Sequence, residues 1–240
     1  MNAAPATNVL VVVPAYNEQD AIAEVIEQIA IAGFRVLVVD DGSTDHTRTR
    51  AAAAGAEVVS LNSNSGVGVA IRTAFAAAVE RGYEVIVQCD ADGQHPVAEI
   101  PALIAASGGV DVVVGSRFRS TANTMTMGAV RRSASRLLAW SASRACGTPI
   151  TDPTSGFRLI RQPLLGELAE KLPSAYLSDT YEVLVAAGRA GYTVVEIPAP
   201  FANRTTGVAS AGAFASALHM VRCVLRVALR SEMQLARPRR

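Results

Sequence analysis

Short apolar runs alternate with helical patterns through the first half of the chain, and that alternation leaves few folds open to it. The runs Val9 to Val13, Val36 to Asp40, Glu57 to Leu61, Val85 to Cys89 and Val110 to Gly115 are nearly continuous in apolar character, as strands buried on both faces are. Between them the sequence predicts helices over Asp20 to Ala32, Thr44 to Ala54, Val67 to Arg81 and Val97 to Ala106. Ile22, Val25, Ile26 and Ile29 recur at helical spacing, which gives the first helix one face for a sheet. Gly33, Gly55 and Gly82 stand where C-terminal caps fall. Strands alternating with helices imply right-handed crossovers and a mostly parallel sheet, so the expected class is α/β. With 240 residues, half of them apolar, the chain suits one large domain that buries its own core.

Open α/β sheets bind ligands at the carboxyl ends of their strands. Two of the runs end there in acidic clusters, Asp40-Asp41-Gly42-Ser43-Thr44-Asp45 and Asp90-Ala91-Asp92-Gly93-Gln94-His95-Pro96, which are therefore expected to line a site. Asp90 and Asp92 are two residues apart, so in extended backbone their carboxylates point the same way and repel unless a cation lies between them. Mg²⁺ or Mn²⁺ suits such a pair, since these ions take one or two carboxylates and complete their shell with water and substrate phosphates. A phosphorylated substrate follows. Taken alone, the same Asp-x-Asp serves equally well to begin a turn before Pro96.

The formal net charge of +1 argues against nucleic acid as a partner, because that footprint is a strong basic excess. Cys89, Cys146 and Cys223 are far apart, without the spacing of a zinc site or disulfide framework, and fit a reducing cytoplasm. The N-terminus does not read as a signal peptide. Gly66-Val67-Gly68 lacks the third glycine of a dinucleotide fingerprint, which makes it a helix start rather than an NAD site. Beyond Gly115, Ser116 to Gly128 reads as a polar loop, followed by a helix from Ala129 to Cys146. A turn within Thr151 to Arg161 leads to a short strand, and a helix from Asp179 to Ala190 precedes a strand at Tyr192 to Ile197.

Several segments in order carry a resemblance: Val13-Pro14-Ala15-Tyr16-Asn17-Glu18, Val39-Asp40-Asp41-Gly42-Ser43, Asn64-Ser65-Gly66, the Asp90 to Pro96 cluster and Gly115-Ser116-Arg117. Together they resemble family 2 glycosyltransferases of the GT-A fold. Asp152-Pro153-Thr154-Ser155-Gly156-Phe157-Arg158 and Arg204-Thr205-Thr206-Gly207 are similar to the polyprenyl (dolichyl) phosphate sugar synthase branch. The resemblance implies an inverting transfer of a hexose from a GDP- or UDP-linked sugar to polyprenyl phosphate. It implies nucleotide-sugar contacts at Pro14, Ala15, Tyr16, Glu18, Val39, Asp41, Asp90, Ala91, Asp92, Gln94 and Arg117, a metal on Asp90, Asp92 and Gln94, and catalytic roles for Asp92, Arg117, Arg131 and Arg204. Arg117, Arg131 and Arg204 match phosphate-binding positions, and guanidinium forks fit phosphate oxygens bidentately. Arg119 and Arg132 read as ordinary solvated arginines.

The acceptor divides two readings. A phosphate monoester, with a second pKa of about 6, attacks already ionised, whereas a sugar hydroxyl needs a general base. Asp179 and Glu182, three apart on one helix, are the candidates for that base, and serve otherwise as a cap and a structural carboxylate. The chain departs from the synthase pattern where Ala209-Ser210 replaces a Ser-Lys pair and Ser178 replaces a basic residue. A non-catalytic nucleotide-sugar-binding subunit is the reading from another class.

The expected division is a GT-A domain over residues 1–210, with a donor half at 1–117 and an acceptor half at 118–210, then an amphipathic basic helix and tail over 211–240. Phe214, Leu218, Val221, Leu225 and Leu229 make its apolar stripe, beside Arg222, Arg226 and Arg230. Such a helix suits an anionic membrane surface, placing a cytoplasmic enzyme at the inner face of the membrane. It equally suits packing on the sheet or on a second subunit of a homo-oligomer.

Overall fold

The computed structural model describes residues 8–119, 129–172, 179–202 and 233–238. Among them the strands β1 (Val9–Ala15), β2 (Arg35–Asp40), β3 (Glu57–Ser60), β4 (Val85–Gln88), β5 (Val112–Ser116), β6 (Arg158–Arg161) and β7 (Val194–Pro198) form one sheet. Its order is β3-β2-β1-β4-β6-β5-β7. The first four strands run parallel, as their apolar runs predict. The exception to the parallel arrangement is β6, which enters antiparallel to β4 and β5 and pairs Arg158 with both Gln88 and Val114.

Both faces of the sheet are covered, which explains why its strands lack polar alternation. On β1, Val9, Val11 and Val13 pack with Ile22, Val25, Ile26 and Ile29 of α1 (Ile22–Ile31) and with Ile100 and Leu103 of α4 (Ile100–Ala106). Leu10 and Val12 face the other layer, with Ile71, Ala74 and Phe75 of α3 (Val67–Glu80) and Leu138 of α5 (Ala129–Cys146). Leu164, Leu165 and Leu168 of α6 (Leu164–Lys171) and Leu184 of α7 (Asp179–Ala190) complete this second core. Each fully buried side chain of this size stabilises the fold by about 1.5–3 kcal/mol relative to exposure.

Besides shifts of a residue or two at element ends, three helical segments differ from the sequence reading. The helix expected from Thr44 begins at Thr47 as α2 (Thr47–Ala53), because Asp45 folds the preceding residues into a turn. Its Oδ1 accepts from the Thr47 N–H at 2.9 Å, and its Oδ2 accepts from the Gln19 N–H at 3.3 Å. The helix expected over Val97 to Ala106 is a 3₁₀ turn at Val97–Glu99 followed by α4, with proline near the helix start. Sequence reasoning missed α6, although Leu164, Leu165 and Leu168 after Pro163 carry a short helical signal.

The C-terminal residues return to this body. Met233 and Leu235 pack against the second core, the Ala236 N–H donates to Glu167 Oε2 at 2.7 Å, and Lys171 Nζ donates to the Gln234 carbonyl at 3.1 Å. The expected amphipathic stripe at 214–229 lies outside the described residues. Among the described helices none is long and apolar enough to cross a membrane.

Candidate active site

The carboxyl ends of β1, β2 and β4 open into one cleft of about 560 Å³. Pro14, Ala15, Tyr16 and Glu18 line it from the end of β1, Asp41 from the turn after β2, and Asp90, Ala91 and Asp92 from the loop after β4. Asn64, Gly66, Val67 and Ala70 supply the facing wall at the start of α3. The residues expected to meet the nucleotide sugar thus converge, apart from three. Val39 is fully buried in the core below and does not line the cleft, and neither do Gln94 and Arg117. Tyr16, at 42% exposure, offers its ring to the opening.

Asp41 is buried, and its two oxygens accept from the backbone N–H groups of Ser65 and Gly66, each at 2.8 Å. It therefore fixes the loop that opens α3 as well as facing the cleft. Gly42 follows with φ +70°, and a Cβ there would lie 2.5 Å from the Ser63 carbonyl carbon, so only glycine lets these two loops approach. Asp40 accepts from the Ser43 N–H at 3.1 Å, closing the turn between them.

Asp92 Oδ1 accepts from the Gln94 N–H at 3.0 Å. The Asp90 side chain is 43% exposed, accessible to a ligand, yet one of its oxygens has a partner that sequence reasoning did not assign. His95 Nδ1 accepts the Asp90 N–H at 2.8 Å, and Nε2 lies 3.2 Å from Asp90 Oδ2. Because Nδ1 is an acceptor, the ring proton belongs on Nε2, which lies in electrostatic contact with that carboxylate. Burial lowers the His95 pKa against the opposing pull of Asp90 and Asp92, which keeps the ring neutral. Burial, then Asp90 and Asp92, raise the neighbouring Cys89 thiol well above its ordinary range, so it stays protonated.

Arg117, at the end of β5, is held by a carboxylate from the far side of the chain. Its Nε and Nη2 donate to Asp152 Oδ2 and Oδ1, both at 2.7 Å, and its backbone N–H donates to Oδ2 at 3.0 Å. Burial works to lower the Arg117 pKa, but the hydrogen bonds and charge of Asp152, with that of Asp90, outweigh it and raise it. Asp152 belongs to the loop that precedes β6, where Ser155 Oγ donates to the Gly115 carbonyl at 2.6 Å. Glu196 of β7 anchors the same loop by accepting from the N–H groups of Thr151 and Asp152. Arg119, read from sequence as solvated, pairs through Nε with this buried Glu196 at 3.2 Å.

Other site expectations fall partly outside what is described. Arg131 and Asp179 lie in α5 and α7 with side chains outside the described residues, and so do Arg204, Ser178 and Ser210. Glu182 is half-buried on α7 and does not line the cleft. Among the described residues no group of three or more His, Cys, Asp or Glu stands ready for a metal. The pair Asp90 and Asp92 nevertheless fits Mg²⁺ or Mn²⁺, since both are oxygen donors opening into one cleft and these ions draw their other ligands from water and substrate phosphates.

A parallel-centred sheet with acidic loops at the carboxyl ends of its strands is the frame of a GT-A nucleotide-sugar enzyme. Residues 10–169 match the model described as Glycosyl transferase family 2, and the chain belongs to that family. It is a glycosyltransferase of the branch similar to polyprenyl-phosphate sugar synthases. An undecaprenyl-phosphate mannosyltransferase of Micrococcus luteus is 31% identical over 83% of this chain and 85% of that protein. A polyprenol monophosphomannose synthase of Mycolicibacterium smegmatis is 34% identical over 85% of this chain and 81% of its own. The fold matches a crystal structure of glucosyl-3-phosphoglycerate synthase from Mycobacterium tuberculosis in complex with Mn²⁺, UDP and glucosyl-3-phosphoglycerate. That likeness has a TM-score of 0.65 at 23% identity and covers 92% of this chain and 78% of that one.

Proposed function

We propose that the enzyme transfers a hexose from a GDP- or UDP-linked sugar to polyprenyl phosphate, with inversion at the sugar and with Mg²⁺ or Mn²⁺ on Asp90 and Asp92. The observation that carries this reading is the shared cleft, in which Tyr16 and Asp41 face the same space as the two aspartates. The mannosyltransferase relatives support the acceptor class.

Tyr16 and Asp41 would receive the nucleoside, while Asp90 and Asp92, with Gln94 beside them, would hold the cation. When bound, that cation neutralises charge developing on the departing nucleotide. Arg117 is set for phosphate by the Asp152 fork, with Arg131 and Arg204 as the further phosphate ligands. An acceptor phosphate needs no protein base because, with a second pKa of about 6, it is already mostly ionised near neutral pH. Residues 1–210 would form the catalytic domain and the basic segment at 211–240 would bring it to an anionic membrane surface at the inner face.

A thermal-shift screen of GDP- and UDP-hexoses with Mn²⁺ tests the donor site, since a ligand at 100 times its Kd adds about 2.7 kcal/mol. No shift with any nucleotide sugar sinks that reading. Product assays with undecaprenyl phosphate test the acceptor, and Asp179→Asn and Glu182→Gln variants should keep full transfer to it.

A further inference from the structure

His95 sets both ring nitrogens beside a single residue. Its Nδ1 takes the Asp90 N–H at 2.8 Å and its Nε2 reaches Asp90 Oδ2 at 3.2 Å. The ring is buried, with Phe157 tilted against it at 5.3 Å and Phe201 edge-on at 5.0 Å. Space-filling alone does not account for an imidazole here, because an apolar ring would fill the same slot without two polar atoms to satisfy. Phe201 also carries the Arg117 guanidinium over its face at 5.6 Å, so one aromatic side chain braces both the imidazole and the arginine.

The carboxylate that His95 touches is confined on another side too. A Cβ at Gly156 would stand 3.1 Å from Asp90 Oδ1 and 3.2 Å from Oδ2, so a larger residue there would push on the carboxylate. Gly156 and Phe157 come from the loop before β6, and Phe201 follows β7.

We propose that His95 is a positioning residue for metal binding: clamped by Phe157 and Phe201, it fixes Asp90 by accepting its backbone N–H, sets Nε2 against Oδ2, and so pre-organises the carboxylate for a divalent cation. The inference rests on Asp90 being a metal ligand, as proposed above. A cation then meets one carboxylate orientation rather than several, and less freedom is lost on binding.

The test is Mn²⁺ alone, titrated into the full-length protein near neutral pH and followed by the electron paramagnetic resonance signal of the free ion. His95→Phe keeps an aromatic ring in the slot and removes both polar contacts; its Kd for Mn²⁺ should rise about 10- to 100-fold, the usual loss when a ligand's supporting partner is removed. His95→Gln, whose amide both donates and accepts, should recover most of that loss. Melting temperatures in EDTA identify the folded variants, and His95→Leu stands in should the phenylalanine variant not fold. A folded His95→Phe or His95→Leu protein that binds Mn²⁺ as the wild type does overturns the proposal. Failure of the wild type to bind Mn²⁺ overturns the metal reading itself, and the positioning role with it.

Discussion

Asp152 has no exposed surface, yet its carboxylate takes three hydrogen bonds from Arg117, two of them from the guanidinium. Removing one member of such a buried pair strands the other. Asp152→Ala should therefore destabilise the protein by about 3 kcal/mol, read as a lower urea midpoint, at the mild end of the range for broken buried pairs because Arg117 keeps some solvent contact. Replacing both, as Arg117→Met with Asp152→Leu, should recover part of that stability while removing the proposed phosphate contact. The sequence marked both residues, one as a phosphate position and the other as a turn. It did not show that they meet, since a pair 35 residues apart leaves no period to read. The same limit hid His95, whose motif was visible but whose neighbours Phe157 and Phe201 come from distant loops. Asp90 and Asp92 were legible because strand end, spacing and charge all act within a few residues.

At the scale of elements, periodic apolar patterns made β1 to β5 and the first helices readable, and ambiguity gathered where short elements rest on tertiary partners. Helix α6 is one such case, and its stability depends on more than its own leucines. Glu167 accepts from Lys171 Nζ and Tyr192 Oη, each at 3.0 Å, and from the Ala236 N–H. Burial pushes its pKa up, but these hydrogen bonds and the lysine charge outweigh that and leave it below the ordinary carboxylate range. A depressed folded-state pKa contributes stability above the unfolded value of about 4.3, which is lost as pH falls through the folded value. Wild type should thus exceed Glu167→Gln in urea stability at neutral pH, and the gap should narrow near ~pH 3. Hydrogen exchange at the Ala236 amide should quicken in the same variant, since its acceptor is weakened.

The whole molecule presents a cleft at the carboxyl ends of its central strands, and the proposed function has the basic segment at 211–240 bring it to the acceptor's membrane. Arg222→Glu, Arg226→Glu and Arg230→Glu together should abolish co-sedimentation with phosphatidylglycerol vesicles, as each basic residue near such a surface contributes about 1 kcal/mol. Unchanged vesicle binding would assign that segment to a protein contact instead. Overall architecture was legible in the sequence because helix and strand patterns alternate; the place of β6 was not, since its four residues Arg158–Arg161 look alike in either direction. That one reversed strand carries a consequence for the order in which the protein is made. Within the described sheet β5 pairs only with β6 and β7, so Val112–Ser116 must wait, newly synthesised, until Arg161 has left the ribosome before it can join β4 and the strands already assembled. Asp90 waits longer still, for Phe201. The bracing around Asp90 is thus the last part to mature, and a chain released early would hold its donor-binding strands without the loops that brace them.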